Sequence, residues 1–125
     1  MSSAMSVDNL RVFKITHAMT VDLYKLTRQF PTEEKFGLTS QIRRASSSVC
    51  ANLMEGGHRN NTKEYRQFAG MSRGSVGELK YHLLLAKDLH YISQDDYKHY
   101  VYALDDISKM LYGLIKALEK NNTVH

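Results

Sequence analysis

A chain of 125 residues with 42% hydrophobic and 24% charged residues is ordinary globular composition, which excludes a disordered polymer and bounds the fold to one domain with a modest core. The formal charge of +4 and a pI near 9.2 are a mild cationic excess, compatible with an anionic partner without demanding one. A single cysteine, Cys50, excludes an internal disulfide framework, and no apolar run approaches the roughly 20 residues of a membrane span.

Residues 1–8 read as a flexible leader, with Asp8 or Asn9 as the cap of a first helix over about 9–30. MSSAMSVDNL lacks the basic-then-apolar order of a signal peptide, so a cytoplasmic location is expected. Val12, Ile15, Met19, Leu23, Leu26 and Phe30 recur every three or four residues and form one apolar stripe, which Pro31 ends because it has no N–H. Gly37 is expected at positive φ after the connector PTEEKFG.

The second helix, about 38–56, carries Leu38, Ile42, Ala45, Val49 and Leu53 among the small residues Ser46, Ser47, Ser48, Cys50 and Ala51. Small side chains bring a neighbouring helix close. Gly56-Gly57 is its stop, and Cys50 reads as a buried, inert thiol. A third helix over about 62–91 opens on Asn61-x-x-Glu64, a loose capping box. Its stripe is Tyr65, Phe68, Ser72, Val76, Leu79, Leu83, Ala86 and Leu89. Ser93-Gln94-Asp95-Asp96 starts a fourth helix over about 94–120, with Tyr97, Val101, Leu104, Ile107, Leu111, Leu114 and Leu118 inward, and residues 121–125 are expected to fray. Four amphipathic helices with short connections and no strand signal give an all-α fold, an antiparallel up-down-up-down four-helix bundle spanning 9–120. Tyr97, Tyr100, Tyr102 and Tyr112 exceed what one core stripe uses, so a homo-oligomer is expected.

The segment from Arg43 to Lys80 stands out chemically. It holds seven Lys/Arg against three acids, five of the seven glycines and the only cysteine. Known catalytic patterns are absent. Glu55-x-x-His58 has di-metal spacing but straddles a helix end, and no two histidines form an i,i+4 pair for zinc. Gly74-Ser75-Val76-Gly77 is no nucleophile elbow, and there is no phosphate loop. No enzyme activity, catalytic residue, metal or cofactor is expected. Gly70 and Gly77 lie on one stripe with Arg66, Arg73 and Lys80, and with Gly74 they make three interior glycines, which cost a helix about 3 kcal/mol relative to alanine. The close approach of another backbone would offset that. The backbone is either a protein helix or a phosphodiester reached by the flanking cations.

Phe36-Gly37-Leu38, Gln41 to Ala45, Asn52 to Gly56 and Arg73 to Leu79, in this order and spacing, resemble the 23S rRNA intervening-sequence protein family. The resemblance spans roughly residues 10–120. It implies an antiparallel four-helix bundle that assembles into a ring-shaped homopentamer, with Asn52, Glu55, Gly56, Gly74, Ser75, Glu78 and Leu79 as the structural signature. It also implies a relationship to the accessory variability determinant of diversity-generating retroelements, a basic pentamer that binds a reverse transcriptase and RNA. A reverse transcriptase and RNA are thus candidate partners. Ser46–Cys50 and Gly70 depart from the family's usual pattern, in the region where the second and third helices meet.

Two non-enzymatic readings remain. In the first, Arg43, Arg44, Arg59, Lys63, Arg66 and Arg73 form a basic surface for structured RNA or other nucleic acid. In the second the same cations are internal or intersubunit ion pairs of a protein-interaction scaffold. Arg73 fits either.

Overall fold

The computed structural model describes residues 6–123, and among them there are four α-helices and no strand. They are α1 (Arg11–Leu26), α2 (Leu38–Gly57), α3 (Thr62–Asp88) and α4 (Gln94–Thr123). Hydrogen bonds across neighbours establish the directions. Cys50 lies against the Phe13 carbonyl and Arg43 against Tyr24, so α1 and α2 run antiparallel. Ser72 meets Val49 while Arg44 meets Glu78, and Arg73 meets Ser108 while Lys80 meets Asp105, so α2, α3 and α4 alternate as well. The result is an up-down-up-down four-helix bundle.

The core is the set of inward stripes. Leu23, Ile42, Leu53, Leu79, Leu83, Leu104, Ile107 and Leu111 are fully buried and meet along the bundle axis. Four polar side chains, Thr16, Thr27, Ser46 and Ser72, join them at almost no exposure. Thr16 donates to the Val12 carbonyl within its own helix at 2.7 Å, and Ser72 donates across to the Val49 carbonyl at 2.8 Å. A buried hydroxyl so satisfied avoids a desolvation penalty of about 1–3 kcal/mol. The small residues of α2 do bring helices close. Ser46 is buried, and the Thr20 hydroxyl reaches its carbonyl from α1 at 3.3 Å. Gly56 marks the close approach of α2 to α3, because a Cβ there would come within 2.8 Å of Phe68 Cβ and 3.2 Å of the Tyr65 carbonyl.

Several boundaries differ from the sequence-based expectation. Val7–Asn9 is a 3₁₀ turn with Val7 buried against Gly57, so residues 6–8 are not a flexible leader, while residues 1–5 lie outside the described residues. α1 begins with Leu10 at the capping position and no side-chain cap, instead of Asp8 or Asn9. It ends at Leu26, short of Phe30, and passes into a 3₁₀ turn, Thr27–Gln29, where the Thr27 hydroxyl bonds the Leu23 carbonyl at 2.8 Å. α4 continues to Thr123 instead of stopping at 120.

Gly37 has φ −110°, not a positive value. Its lack of a side chain serves a different purpose: a Cβ would stand 2.7 Å from Glu34 Oε1, which accepts the Leu38 N–H at 3.0 Å and thereby caps α2. The left-handed residue is His90, at φ 63°, just beyond α3. There the Tyr91 N–H bonds the Ala86 carbonyl and the His90 N–H bonds the Lys87 carbonyl, each at 2.9 Å. This is a Schellman stop, and it ends α3 at Asp88 with Leu89 turned half to solvent. Asn61 caps α3 as expected, its side chain accepting the Glu64 N–H at 2.8 Å. The Ser93 hydroxyl does the same for Asp96 at 3.0 Å.

Candidate interaction surfaces

The cationic segment does not fold into one surface. Arg43 and Arg44 lie near the start of α2, while Arg59, Lys63 and Arg66 lie past its other end. At 1.5 Å per residue those groups stand on the order of 20 Å apart along the bundle. Arg73 is elsewhere again, on the side of α3 that meets α4.

Four of these six residues are engaged within the chain. The Arg43 guanidinium donates to Thr27 Oγ1 at 2.9 Å and to the Tyr24 carbonyl at 3.1 Å, and lies 4.8 Å from the Tyr24 ring centroid, tying α2 to α1. Arg44 pairs with Glu78 of α3 and with Gln41. Arg59 reaches Glu55 at 3.0 Å and Glu64 at 3.6 Å and covers the Phe68 ring at 4.8 Å, so it clasps the α2–α3 turn. Arg73 donates to the Ser108 hydroxyl at 3.1 Å and stacks on Tyr112 at 5.1 Å. Lys63 and Arg66 have no ion-pair partner among the described residues. Lys80, which shares the α3 stripe, pairs with Asp105 at 2.6 Å.

Glu78 is the acid of the segment that ties α3 to α2 through Arg44. It accepts from His82 at 3.1 Å and from Arg44, and these interactions hold its carboxyl below the usual carboxylate range, the His82 hydrogen bond first. Elsewhere in the structural signature, Leu79 is core, Gly56 is the close contact described above and Glu55 holds Arg59. Asn52 donates to the Ser48 carbonyl at 2.9 Å, whereas Gly74 is exposed and Ser75 half-buried on α3.

The glycine stripe is the largest departure from what the sequence suggested about the single chain. A Cβ built on Gly70, Gly74 or Gly77 meets nothing within 4 Å, so no helix of the bundle rests on them. They floor an open groove of about 380 Å³ between α3 and α4, walled by Arg73, Lys80, Ser108 and Ile115. Tyr81, 58% exposed, continues the same helical row, and Met71 and Tyr112 are exposed beside it.

A second depression, about 420 Å³, opens where the connector after α1 meets the first turns of α2 and contains Tyr24, Lys35, Phe36, Arg43 and Arg44. Sequence reasoning used Phe36 only as part of a motif. Its exposure depends on the connector's path, which no periodicity reports. A larger hollow at the α3–α4 turn, about 810 Å³, includes Lys87, His90 and Ser93, but Lys87 already lies over the Tyr97 ring and near Asp88, and Ser93 caps α4.

Among the described residues no group of three or more His, Cys, Asp or Glu could hold a metal ion. His58 faces the Met54 carbonyl at 2.8 Å while Glu55 turns to Arg59, so the Glu55–His58 spacing does not converge. Burial pushes the Cys50 thiol up to about 11, which keeps it protonated and unreactive at neutral pH. No described helix is long and apolar enough to cross a membrane.

Comparison with known proteins fits this architecture. No curated protein matches the chain. A crystal structure of a protein with unknown function from the S23 ribosomal protein family of Bacteroides thetaiotaomicron VPI-5482 superposes with a TM-score of 0.73 at 23% identity, covering 84% of this chain and 98% of that one. That likeness is one of fold. The sequence pattern of the 23S rRNA-intervening sequence proteins matches residues 8–113, which takes in most of all four helices. The chain therefore belongs to the 23S rRNA-intervening sequence protein family.

Proposed function

We propose that the chain is a non-enzymatic assembly module, a bundle that joins further copies of itself by seating a neighbour's helix in the α3–α4 groove. The observation that carries this reading is the uncovered row Gly70, Gly74, Gly77. Three interior glycines cost about 3 kcal/mol relative to alanine, and no contact inside the bundle offsets them. A helix backbone resting on that row would offset them and would also cover Tyr81, Met71 and Tyr112, each about half exposed. The cations fit the same picture, since Arg43, Arg44, Arg59 and Arg73 serve as clasps between elements. The homopentameric ring implied by the family resemblance is the expected form. Sedimentation velocity tests the reading. The wild type is expected to sediment as a multimer, and Gly74→Leu with Gly77→Leu to sediment as a folded monomer with unchanged helical circular dichroism. Multimers that survive the double change would overturn it.

A nucleic-acid role keeps one specific support at the α2–α3 end, where Lys63 and Arg66 lack intrachain ion-pair partners. Binding to rRNA fragments that weakens steeply with salt is the expected result, and a flat salt response would refute it.

A further inference from the structure

We infer that the cleft between the end of α1 and the start of α2 binds an unpaired stretch of nucleic acid, stacking a base on Phe36 and holding its phosphates with Lys35, Arg43 and Arg44. The inference is independent of the assembly groove. It rests on the nucleic-acid reading, which it narrows to single strands and extends from the α2–α3 end to the opposite end of α2.

Phe36 is 89% exposed, more than any other large hydrophobic side chain among the described residues. The connector that carries it is held at both sides. Glu34 Oε1 accepts the Leu38 N–H at 3.0 Å, Glu34 Oε2 accepts the Tyr91 hydroxyl at 2.8 Å, and Gly37 leaves room for that carboxylate. The ring is thus presented to solvent from an anchored turn. Lys35 Nζ stands 5.5 Å from its centroid. Across the cleft the Arg43 guanidinium lies over Tyr24 and is fixed by Thr27 and the Tyr24 carbonyl, and Arg44 is fixed by Gln41 and Glu78. No carboxylate lines the cleft, and its volume of about 420 Å³ suits a nucleotide-sized guest. Glu78 offsets one of the three cations, so the lining stays positive.

A free aromatic face beside cations of preset position is the recurring arrangement for sequence-tolerant single-strand binding. Paired bases have their faces covered by stacking, so a duplex could use only the cations. A run of acidic residues alone would likewise meet the cations but offers no flat ring system to Phe36.

The test is fluorescence anisotropy on the full chain with a labelled single-stranded RNA of roughly a dozen nucleotides and a hairpin duplex of similar charge whose loop is replaced by a polyethylene-glycol linker, so that it has no unpaired base. Phe36→Ala is expected to weaken single-strand binding by about 5- to 100-fold, with hairpin binding little changed and with Phe36→Tyr restoring the affinity. Wild-type single-strand affinity in Phe36→Ala would overturn the site. So would equal losses for strand and hairpin. Lys63→Ala with Arg66→Ala separates the site from the broader reading. If that pair abolishes all binding while Phe36→Ala does not, nucleic-acid binding stands and this cleft falls. A wild type that binds neither probe at low salt overturns both. A change in assembled mass in Phe36→Ala without loss of RNA affinity would place the ring between copies of the chain and refute the inference.

Discussion

Replacing Gly70, Gly74 and Gly77 together by alanine should stabilise the isolated bundle. Each change removes about 1 kcal/mol of helix-propensity penalty. No steric term opposes it, because a Cβ at any of the three meets nothing within 4 Å. The sum is about 3 kcal/mol, which at an m-value of about 1.5 kcal/mol/M for a chain of this size raises the urea midpoint by about 2 M. The measurement is equilibrium urea unfolding followed by circular dichroism, at concentrations low enough for the wild type to be monomeric. Under the same account the triple variant self-associates more weakly, since each methyl holds a neighbouring backbone away. The two effects have opposite signs, and only an external role for the glycines produces both. A lower midpoint in the dilute regime would refute the reasoning, because it would place a packed surface against α3 inside the single chain.

Gly56→Ala should behave in the opposite way. Its methyl would press on Phe68 Cβ and the Tyr65 carbonyl, so a loss of about 1–3 kcal/mol is expected in the same unfolding assay. His90→Gly should raise stability by about 1 kcal/mol, read as a thermal midpoint about 3 °C higher, because φ 63° is strained for histidine and free for glycine. Glu34 and Glu78 are both held below the ordinary carboxylate value, Glu34 chiefly by the Leu38 N–H and Glu78 chiefly by His82. Their stabilising contribution is therefore present above the unfolded-state value of about 4.3 and is lost as pH falls through the lower folded-state values. Glu34→Gln with Glu78→Gln should be less stable than wild type at pH 7 and show a flatter acid limb, with the two unfolding curves converging at low pH. Parallel acid limbs would contradict that assignment.

The helices were legible because their stripes recur every three or four residues and burial follows that period directly, as at Leu38, Ile42, Ala45, Val49 and Leu53. What the sequence could not resolve was distance between elements. Gly56 and Gly74 are the same residue on neighbouring helices, yet one has a helix against it and the other has open space. Nothing local to either distinguishes them. The cations between Arg43 and Arg73 are close in sequence and read as one basic surface, but the rise of α2 and the α2–α3 turn send them to separate ends. Gly37 and His90 illustrate the same limit in the backbone. A Schellman stop needs a residue that tolerates left-handed geometry, which a histidine can supply, while Gly37 answers to the carboxylate of Glu34. The exposure of Phe36 likewise follows from how Glu34 holds the connector.

The central claim is that the α3–α4 groove is covered in the assembled protein. Hydrogen exchange of the unmodified chain tests it most directly, compared between dilute and concentrated solution. The account predicts that amides of residues 70–81 become markedly slower to exchange as concentration rises, while those on the outward face of α1 do not. Exchange in 70–81 that is indifferent to concentration, in a protein that nevertheless gains mass, would place the assembly contact on another face and contradict the account.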